Sequence, residues 1–218
     1  MKRWICALLV LALAMALAGC GRRQEEDEEP APNPVATINL GDGSQMRIEL
    51  RPDIAPNTVY NFIQLANDGF YNNREIFRVV SNVFIQTGDP NDNGTGDPGY
   101  YIKGEFSAND FPNSLSHMRG TVSMARKADY DTGGSQFFIM EGSYPEYDGY
   151  YAAFGTIADE ASMNVLDEIG SRPVDGSYVP LDRIYIRSIH VETFEVEYPE
   201  PEKLKKSDID DRKEGKRK

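Results

Sequence analysis

Residues 77–89 read FRVVSNVFIQTGD, and residues 134–139 read GSQFFI. Both segments are rich in β-branched and aromatic residues, and each has a glycine at one boundary, which is typical of β-strands. They carry one arginine, Arg78, together with Gln86 and several aromatic side chains. This combination indicates an apolar groove with a single fixed cation. It does not indicate a nucleophile or a metal site.

Strand-like segments also dominate the chain around these two motifs. Apolar and polar residues alternate over residues 36–40 and 46–50, and the intervening Gly41-Asp42-Gly43 predicts a hairpin turn. Helices are expected from Pro56, with Gly69 ending the first in a left-handed conformation, and near residues 162–169. Further strands are expected at residues 76–80, 83–86, 120–124, 136–140, 152–157 and 184–191. Many short strands with two helices indicate a closed β-barrel or a sandwich, and the pattern leaves both open.

Together the two motifs resemble those of the cyclophilin family of peptidyl-prolyl cis/trans isomerases. The resemblance covers approximately residues 34–193. It implies a mainly β fold, namely a closed eight-stranded antiparallel β-barrel capped by two α-helices. It also implies that the domain accelerates rotation about X-Pro peptide bonds. This reaction makes and breaks no covalent bond, so it requires no nucleophile, metal or cofactor.

The resemblance assigns catalysis to Arg78, Gln86 and Phe138. The rotation barrier, about 18–20 kcal/mol, comes from the partial double-bond character of the amide, and the prolyl nitrogen recovers its lone pair only when the bond twists. A guanidinium stays charged and offers several donors, so Arg78 could stabilise that twisted state. Gln86 is expected to hold the substrate backbone and help to position Arg78. Because eight residues separate them, both would share a face on one unbroken strand, unless Ser81-Asn82 bends it.

Phe138 matches the phenylalanine at the floor of the family's proline pocket. Further substrate-binding residues implied by the resemblance are Val83, Phe84, Met124, Ala125, Arg126, Gln136, Tyr147 and Tyr151. The chain departs from the family pattern at Phe77, where a histidine is usual, and at the pocket rim. Glu146 stands where the family has the tryptophan that favours cyclosporin, so we expect weak inhibition by that drug. These departures alter the pocket wall and leave Arg78 in place.

The N-terminus predicts export and lipid attachment. Lys2 and Arg3 precede an apolar run, residues 5–17, that is too short for a spanning helix and typical of an export signal. The run ends in LAGC, which resembles a bacterial lipobox, although an ordinary secretory signal with an incidental cysteine is the alternative. We therefore expect a signal peptide over residues 1–19, a lipid on Cys20 and an acidic, proline-rich tether over residues 20–33. The protein would then be extracytoplasmic, anchored to the cell membrane or to an outer membrane.

Composition limits the partners. The net charge of −12 argues against nucleic-acid binding. Residues 194–218 turn from acidic to basic and predict a charged, disordered tail. The only cysteines are Cys6 and Cys20, so the mature domain depends on its own core for stability.

We expect a monomer that acts on proline-containing segments of unfolded exported proteins. Two alternatives remain open. One is a proline-peptide-binding module or holdase chaperone with little turnover, and the other is a lipoprotein whose tails bind surfaces.

Overall fold

A computed structural model describes residues 31–209. The predicted signal peptide, the Cys20 lipidation site and all but the end of the predicted tether lie outside these residues. In chain order, the strands and helices are β1 (Val35–Leu40), β2 (Gln45–Leu50), α1 (Pro56–Asn67), β3 (Arg74–Glu75), β4 (Arg78–Val80), β5 (Phe84–Thr87), β6 (Thr121–Met124), β7 (Phe137–Met140), β8 (Ala152–Ile157), α2 (Glu160–Gly170) and β9 (Tyr185–Glu192). Among residues 31–209, no helix has the length and apolar character needed to cross a membrane.

The nine strands found in residues 31–209 form one sheet in the order β3-β9-β1-β2-β8-β6-β7-β5-β4. Every neighbouring pair is antiparallel. All strands except the two-residue β3 contribute side chains to a single buried core, so the sheet wraps around that core. The helices add Val59 and Phe62 from α1 and Leu166 and Ile169 from α2. The mainly β, antiparallel barrel with two helices is therefore confirmed.

The expected count of eight strands and full closure differ from the structure. The segment 76–80, expected to be one strand, is a strand only over β4, because residues 76–77 lie between β3, which pairs with β9, and β4, which pairs with β5. Ile76 and Phe77 connect these two strands and are both buried, with side chains that occupy the bend. Since β3 and β4 are the two ends of the sheet order, this two-residue link joins the edges of the barrel.

Helix α1 begins as the sequence predicts, with Pro56 in its first turn. Its first N–H groups are satisfied by a distant carboxylate: Glu105 accepts hydrogen bonds from the backbone N of Asn57 (3.0 Å) and of Thr58 (2.7 Å). Gly69 follows the helix with a φ of +68°, the left-handed conformation that glycine adopts without strain. The polar stretch around Glu105 is thereby fixed to the end of the barrel that α1 covers.

The C-terminal segment differs from the solvated tail expected after residue 193. Through Ile209 it lies against the domain: the Tyr198 ring packs on Tyr60 of α1 at 5.8 Å, and the backbone of Leu204 pairs with that of Tyr101. Ile209 is completely buried. Isolated apolar residues among the charges supply these contacts. Because they are not periodic, the sequence pattern alone gave no indication of them.

Candidate active site

Four residues form one row across neighbouring strands on the outer face of the barrel. Arg78 of β4 is the direct partner of Gln86 of β5, Gln86 is the partner of Phe138 of β7, and Phe138 is the partner of Ser123 of β6. Directly opposed residues on adjacent strands point to the same face of a sheet. We call these residues the site row. It brings together all three residues that the sequence assigned to catalysis.

A hairpin explains the eight-residue spacing between Arg78 and Gln86. The backbone turns at Ser81-Asn82, where Val83 N donates to Val80 O (2.8 Å) and Asn82 has a φ of +60°. Of the two arrangements left open by the sequence, an unbroken strand and a bend at Ser81-Asn82, the structure has the bend. The two side chains share a face because they are cross-strand partners, not because they alternate along one strand.

The Arg78 guanidinium lies between two aromatic rings. It is 5.1 Å from the centroid of the Phe84 ring and 5.9 Å from that of Tyr178. The loop carrying Tyr178 is fixed to β4, since Val79 N donates to Tyr178 O at 2.9 Å. Among residues 31–209 the guanidinium makes neither a hydrogen bond nor an ion pair. Its N–H donors are held in place by rings and are available to a bound molecule.

Gln86 is oriented by a short chain of hydrogen bonds. Its Nε2 donates to Oε1 of Gln136 (3.0 Å), and Nε2 of Gln136 donates in turn to the backbone oxygen of Gly96 (2.9 Å). Both amides are only partly buried, so they border the groove. Gln136, predicted to bind substrate, therefore also positions Gln86.

An apolar surface lies next to Arg78. Phe84, Phe138 and Met140 are buried there, and partly buried residues surround them; the surrounding residues are Val80, Val83, Ala125, Tyr144, Tyr147 and Tyr151. We call this set the aromatic cluster. Ring centroids of Phe138 lie 5.5 Å from Phe84 and 5.4 Å from Tyr151. The cluster therefore brings together around Phe138 five residues that the sequence assigned to substrate binding, and a small apolar ring can bind against it; the five are Val83, Phe84, Ala125, Tyr147 and Tyr151.

The family model for cyclophilin type peptidyl-prolyl cis-trans isomerase/CLD matches residues 35–191. The chain belongs to this family. It is thus a peptidyl-prolyl cis-trans isomerase of the cyclophilin type, and the site row and aromatic cluster lie within the matched residues.

Similar proteins carry the same activity in their names. Peptidyl-prolyl cis-trans isomerase B of Bacillus subtilis is 44% identical over 118 residues, which cover 54% of this chain and 79% of that protein. A peptidyl-prolyl cis-trans isomerase of Helicobacter pylori is 43% identical over 134 residues, or 62% of this chain and 78% of that protein. Peptidyl-prolyl cis-trans isomerase-like 2 of Gibberella zeae is longer, and the matched segment, 38% identical, spans 25% of it and 69% of this chain.

A solved structure gives the same result for the fold. The cyclophilin type isomerase of Cryptosporidium parvum, crystallised in the presence of the dipeptide Ala-Pro, superposes with a TM-score of 0.64 at 32% identity. The superposition covers 72% of this chain and 98% of that one.

Met124 is the predicted site residue that this cyclophilin places elsewhere. It follows Ser123 on β6, so its side chain points to the opposite face of the sheet and packs in the barrel core. It is 3% exposed and opposes Phe137, another core residue. The resemblance placed Met124 or its neighbours in the proline pocket; the alternation of β6 turns Met124 into the core, whereas its neighbour Ala125 lies in the aromatic cluster.

Arg126 provides a second cation at the rim of the cyclophilin site. Its guanidinium lies 4.7 Å from the Tyr151 ring centroid and 4.9 Å from that of Tyr130, and its Nε donates to Tyr150 O. The groove therefore contains a second fixed cation, whereas the motifs alone indicated only Arg78. Since Arg126 is stacked on rings and hydrogen-bonded to the backbone, it supports Tyr151 from outside the aromatic cluster.

His117 is a site residue whose role the sequence did not reveal. Its ring is fully buried and stacks on Phe138, with centroids 6.1 Å apart and planes at 21°. Nδ1 lies 2.8 Å from the Asp148 carboxylate, and Nε2 lies 3.0 Å from the hydroxyl of Ser123 in the site row. His117 therefore supports Phe138 from below and connects it to two polar partners. No sequence motif pairs His117 with Asp148, which lies thirty-one residues away.

Burial lowers the pKa of the His117 imidazole below its usual 6.5, although the Asp148 carboxylate opposes this effect. For Asp148, burial acts to raise the pKa. The hydrogen bonds from Ser116 and from the backbone and ring of His117 outweigh that burial, so the pKa of Asp148 is lowered. At neutral pH the pair therefore consists of a neutral imidazole and a carboxylate, a structural arrangement that fixes the floor of the site.

Proposed function

We propose that this cyclophilin accelerates X-Pro isomerisation in exported proteins, with Arg78 as the catalytic residue. Uncatalysed isomerisation takes tens to hundreds of seconds and can limit folding. The observation that carries the proposal is the Arg78 guanidinium, which stands beside the aromatic cluster with its donors unused by residues 31–209. These N–H donors can therefore stabilise a lone pair or a negative charge that a bound ligand presents to them.

The proposed mechanism follows from the chemistry of the twisted amide. A planar prolyl nitrogen shares its lone pair with the carbonyl group and accepts hydrogen bonds poorly. On twisting, the lone pair returns to nitrogen, and an Arg78 N–H donates to it. This interaction is stronger in the transition state than in either planar isomer, which is the requirement for catalysis. The aromatic cluster holds the proline ring, and Gln86 holds the adjoining backbone.

The test is the isomerisation rate of an Ala-Pro peptide, measured by NMR exchange with full-length protein. We expect Arg78→Ala to lower kcat/KM about 10²-fold, the loss typical of removing one donor to a developing charge. Arg187→Ala, an exposed arginine on β9, is the matched control and should retain full activity. If wild type and Arg78→Ala bind the peptide equally and neither accelerates exchange, the chain is a binding module or holdase and the proposal fails.

We further propose that the protein works on the outer face of a membrane, anchored by a lipid on Cys20. The supporting observations are the short apolar run after Lys2 and Arg3 and the LAGC sequence that ends it. Mass spectrometry of the N-terminal peptide should find a lipid on Cys20, and Cys20→Ala should move the protein into the soluble fraction of the cell envelope. A Cys20→Ala protein that stays in the membrane fraction would contradict the lipid anchor.

We propose that it acts as a monomer on unfolded, proline-containing segments. One chain supplies the whole site row and aromatic cluster, so the proposed site needs no second copy. Sedimentation of the full-length protein in detergent should give the mass of one chain. A dimer that loses activity on dilution would overturn this part.

A further inference from the structure

A small side pocket adjoins the site row on the far side of Gln86. Its volume is about 100 Å³. The residues that line it are Gln86, Gly94, Gly96, Asp97, Ala125, Arg126, Lys127, Thr132, Gly134, Ser135 and Gln136. The hydrogen-bonded pair Gln86 and Gln136 separates this pocket from Phe138. A peptide whose proline lies on the aromatic cluster therefore passes directly beside it.

The charged residues that line the side pocket are Arg126, Lys127 and Asp97, and Lys206 contacts Asp97. Asp97 is largely buried, and its carboxylate lies 2.8 Å from Nζ of Lys206 and 3.4 Å from Nζ of Lys127. Lys127 also donates to the hydroxyl of Tyr101 at 2.8 Å. Both lysine side chains are about 40% exposed, so they remain accessible to solvent. One carboxylate against two ammonium groups and the Arg126 guanidinium leaves a positive excess, in a chain whose net charge is −12.

Lys206 comes from outside the matched domain. The family match ends at residue 191, and the segment that follows returns to the barrel through the backbone pairing of Leu204 with Tyr101. This pairing carries Lys206 to Asp97, where it forms two contacts of 2.8 and 2.9 Å. The C-terminal segment thereby adds a positive charge beside Asp97, a residue that lines the side pocket.

We propose that the side pocket binds an acidic side chain of the client peptide, and that Lys206 strengthens this preference by neutralising Asp97. The inference rests on the proposed isomerase site, because the pocket is reached by a peptide bound there. A carboxylate gains from the excess positive charge, a neutral isostere does not, and a client lysine is repelled. Exposed ion pairs are weak, so the preference amounts to about threefold per acidic residue.

The experiment measures kcat/KM of the full-length protein by NMR exchange on peptides around Ala-Pro. Glu, Gln or Lys is placed in turn at each of the two positions on either side of that dipeptide. At one of these positions we expect Glu to exceed Gln about threefold and Lys to be poorest, with the differences shrinking in 0.5 M salt, where the screening length falls to a few ångströms. For each protein variant we compare kcat/KM on the Glu peptide with kcat/KM on the Gln peptide. A general loss of activity lowers both values and leaves their ratio unchanged.

Lys206→Gln should lower the ratio of Glu to Gln, and Lys206→Glu, in which the charges around the pocket cancel, should bring that ratio to about one. Lys203→Gln is the matched control, since Lys203 lies in the same segment with its Nζ over the Tyr100 ring at 4.8 Å, and it should keep the wild-type ratio. Equal rates for Glu, Gln and Lys at every position, or an unchanged ratio in Lys206→Gln, would overturn the inference. Failure to accelerate any peptide would instead overturn the proposed function.

Discussion

Gln86 stands directly between Arg78 and Phe138, as the cross-strand partner of both. Its side-chain amide therefore lies where it can contact a peptide bound both to the cation and to the aromatic floor. Its orientation depends on Gln136, which accepts its Nε2–H at 3.0 Å. Gln136 is thus a positioning residue for Gln86, in addition to lining the side pocket.

Gln136→Leu should lower kcat/KM about fivefold, because one hydrogen bond that orients Gln86 contributes about 1 kcal/mol. Gln136→Glu retains an acceptor for Gln86 and should restore most of that activity. The measurement is NMR exchange on an Ala-Pro peptide, accompanied by urea denaturation of each variant. Equal activity in Gln136→Leu and wild type would show that Gln86 needs no such support.

Tyr178 should affect activity and stability in opposite directions. Its ring flanks Arg78, whereas its backbone has a φ of +66°, which costs a non-glycine residue about 1 kcal/mol or more. Tyr178→Asn removes the ring and tolerates this backbone. We expect kcat/KM to fall about threefold, the effect of an exposed cation–π contact, while the free energy of unfolding rises by about 0.5 kcal/mol.

Phe194 is the matched control for Tyr178. It is also exposed and has a φ of +53°, but it lies just beyond β9. Phe194→Asn should give a similar gain in stability without a loss of activity. If Phe194→Asn loses as much activity as Tyr178→Asn, the Tyr178 ring has no specific role beside Arg78.

Acid should destabilise the domain through His117. The unfolded chain binds a proton at this histidine near pH 6.5, whereas burial lowers the pKa in the folded chain. The folded state therefore has its full stability above pH 6.5 and loses it as the pH falls from about 6.5 towards the lower folded pKa. Urea denaturation from pH 7.5 to pH 5 should show this slope in wild type.

His117→Gln should remove that slope, although it also lowers stability at every pH by disturbing the support of Phe138. His190→Gln changes an exposed histidine of β9 and should leave the slope in place. A slope that persists in His117→Gln would assign the pH dependence to other groups.

The C-terminal segment should stabilise the barrel. Removal of residues 198–218 exposes the apolar surface under Tyr198 and Leu204, so we expect the free energy of unfolding to fall by about 2 kcal/mol. Lys205→Ser, an exposed position in the same segment, should be neutral. An unchanged urea midpoint in the truncated protein would mean that the contacts with Tyr60 and Tyr101 contribute nothing to stability.

The sequence predicted those parts of the fold that follow from local patterns. Alternation and turn chemistry predicted β1, β2 and the start of α1, and the two motifs predicted that Arg78, Gln86 and Phe138 meet. It did not reveal contacts made by residues far apart in the chain, such as Tyr178 on Arg78 or Asp148 on His117. These contacts depend on how loops cross the barrel, and hydrophobic periodicity within a segment gives no information about that.

Two errors have a more specific origin. The family pattern placed Met124 or its neighbours in the pocket, although the strict alternation of a strand sends neighbouring side chains to opposite faces. The segment 76–80 was taken as one strand because apolar residues continue through Ile76 and Phe77, and composition cannot show that pairing changes partner there. Local alternation thus explains the position of Met124, whereas long-range pairing determined where β4 begins.

The link between β3 and β4 has a consequence for how the chain can vary in length. Within residues 31–209, the two edge strands β3 and β4 are connected by the covalent chain through Ile76 and Phe77. Gln86 and Phe138 lie on strands with a neighbour on each side, but Arg78 is the first residue after the link and lies on an edge strand. An inserted or deleted residue here would therefore move the arginine while leaving its partners in place, so this is where the chain should tolerate a change of length least.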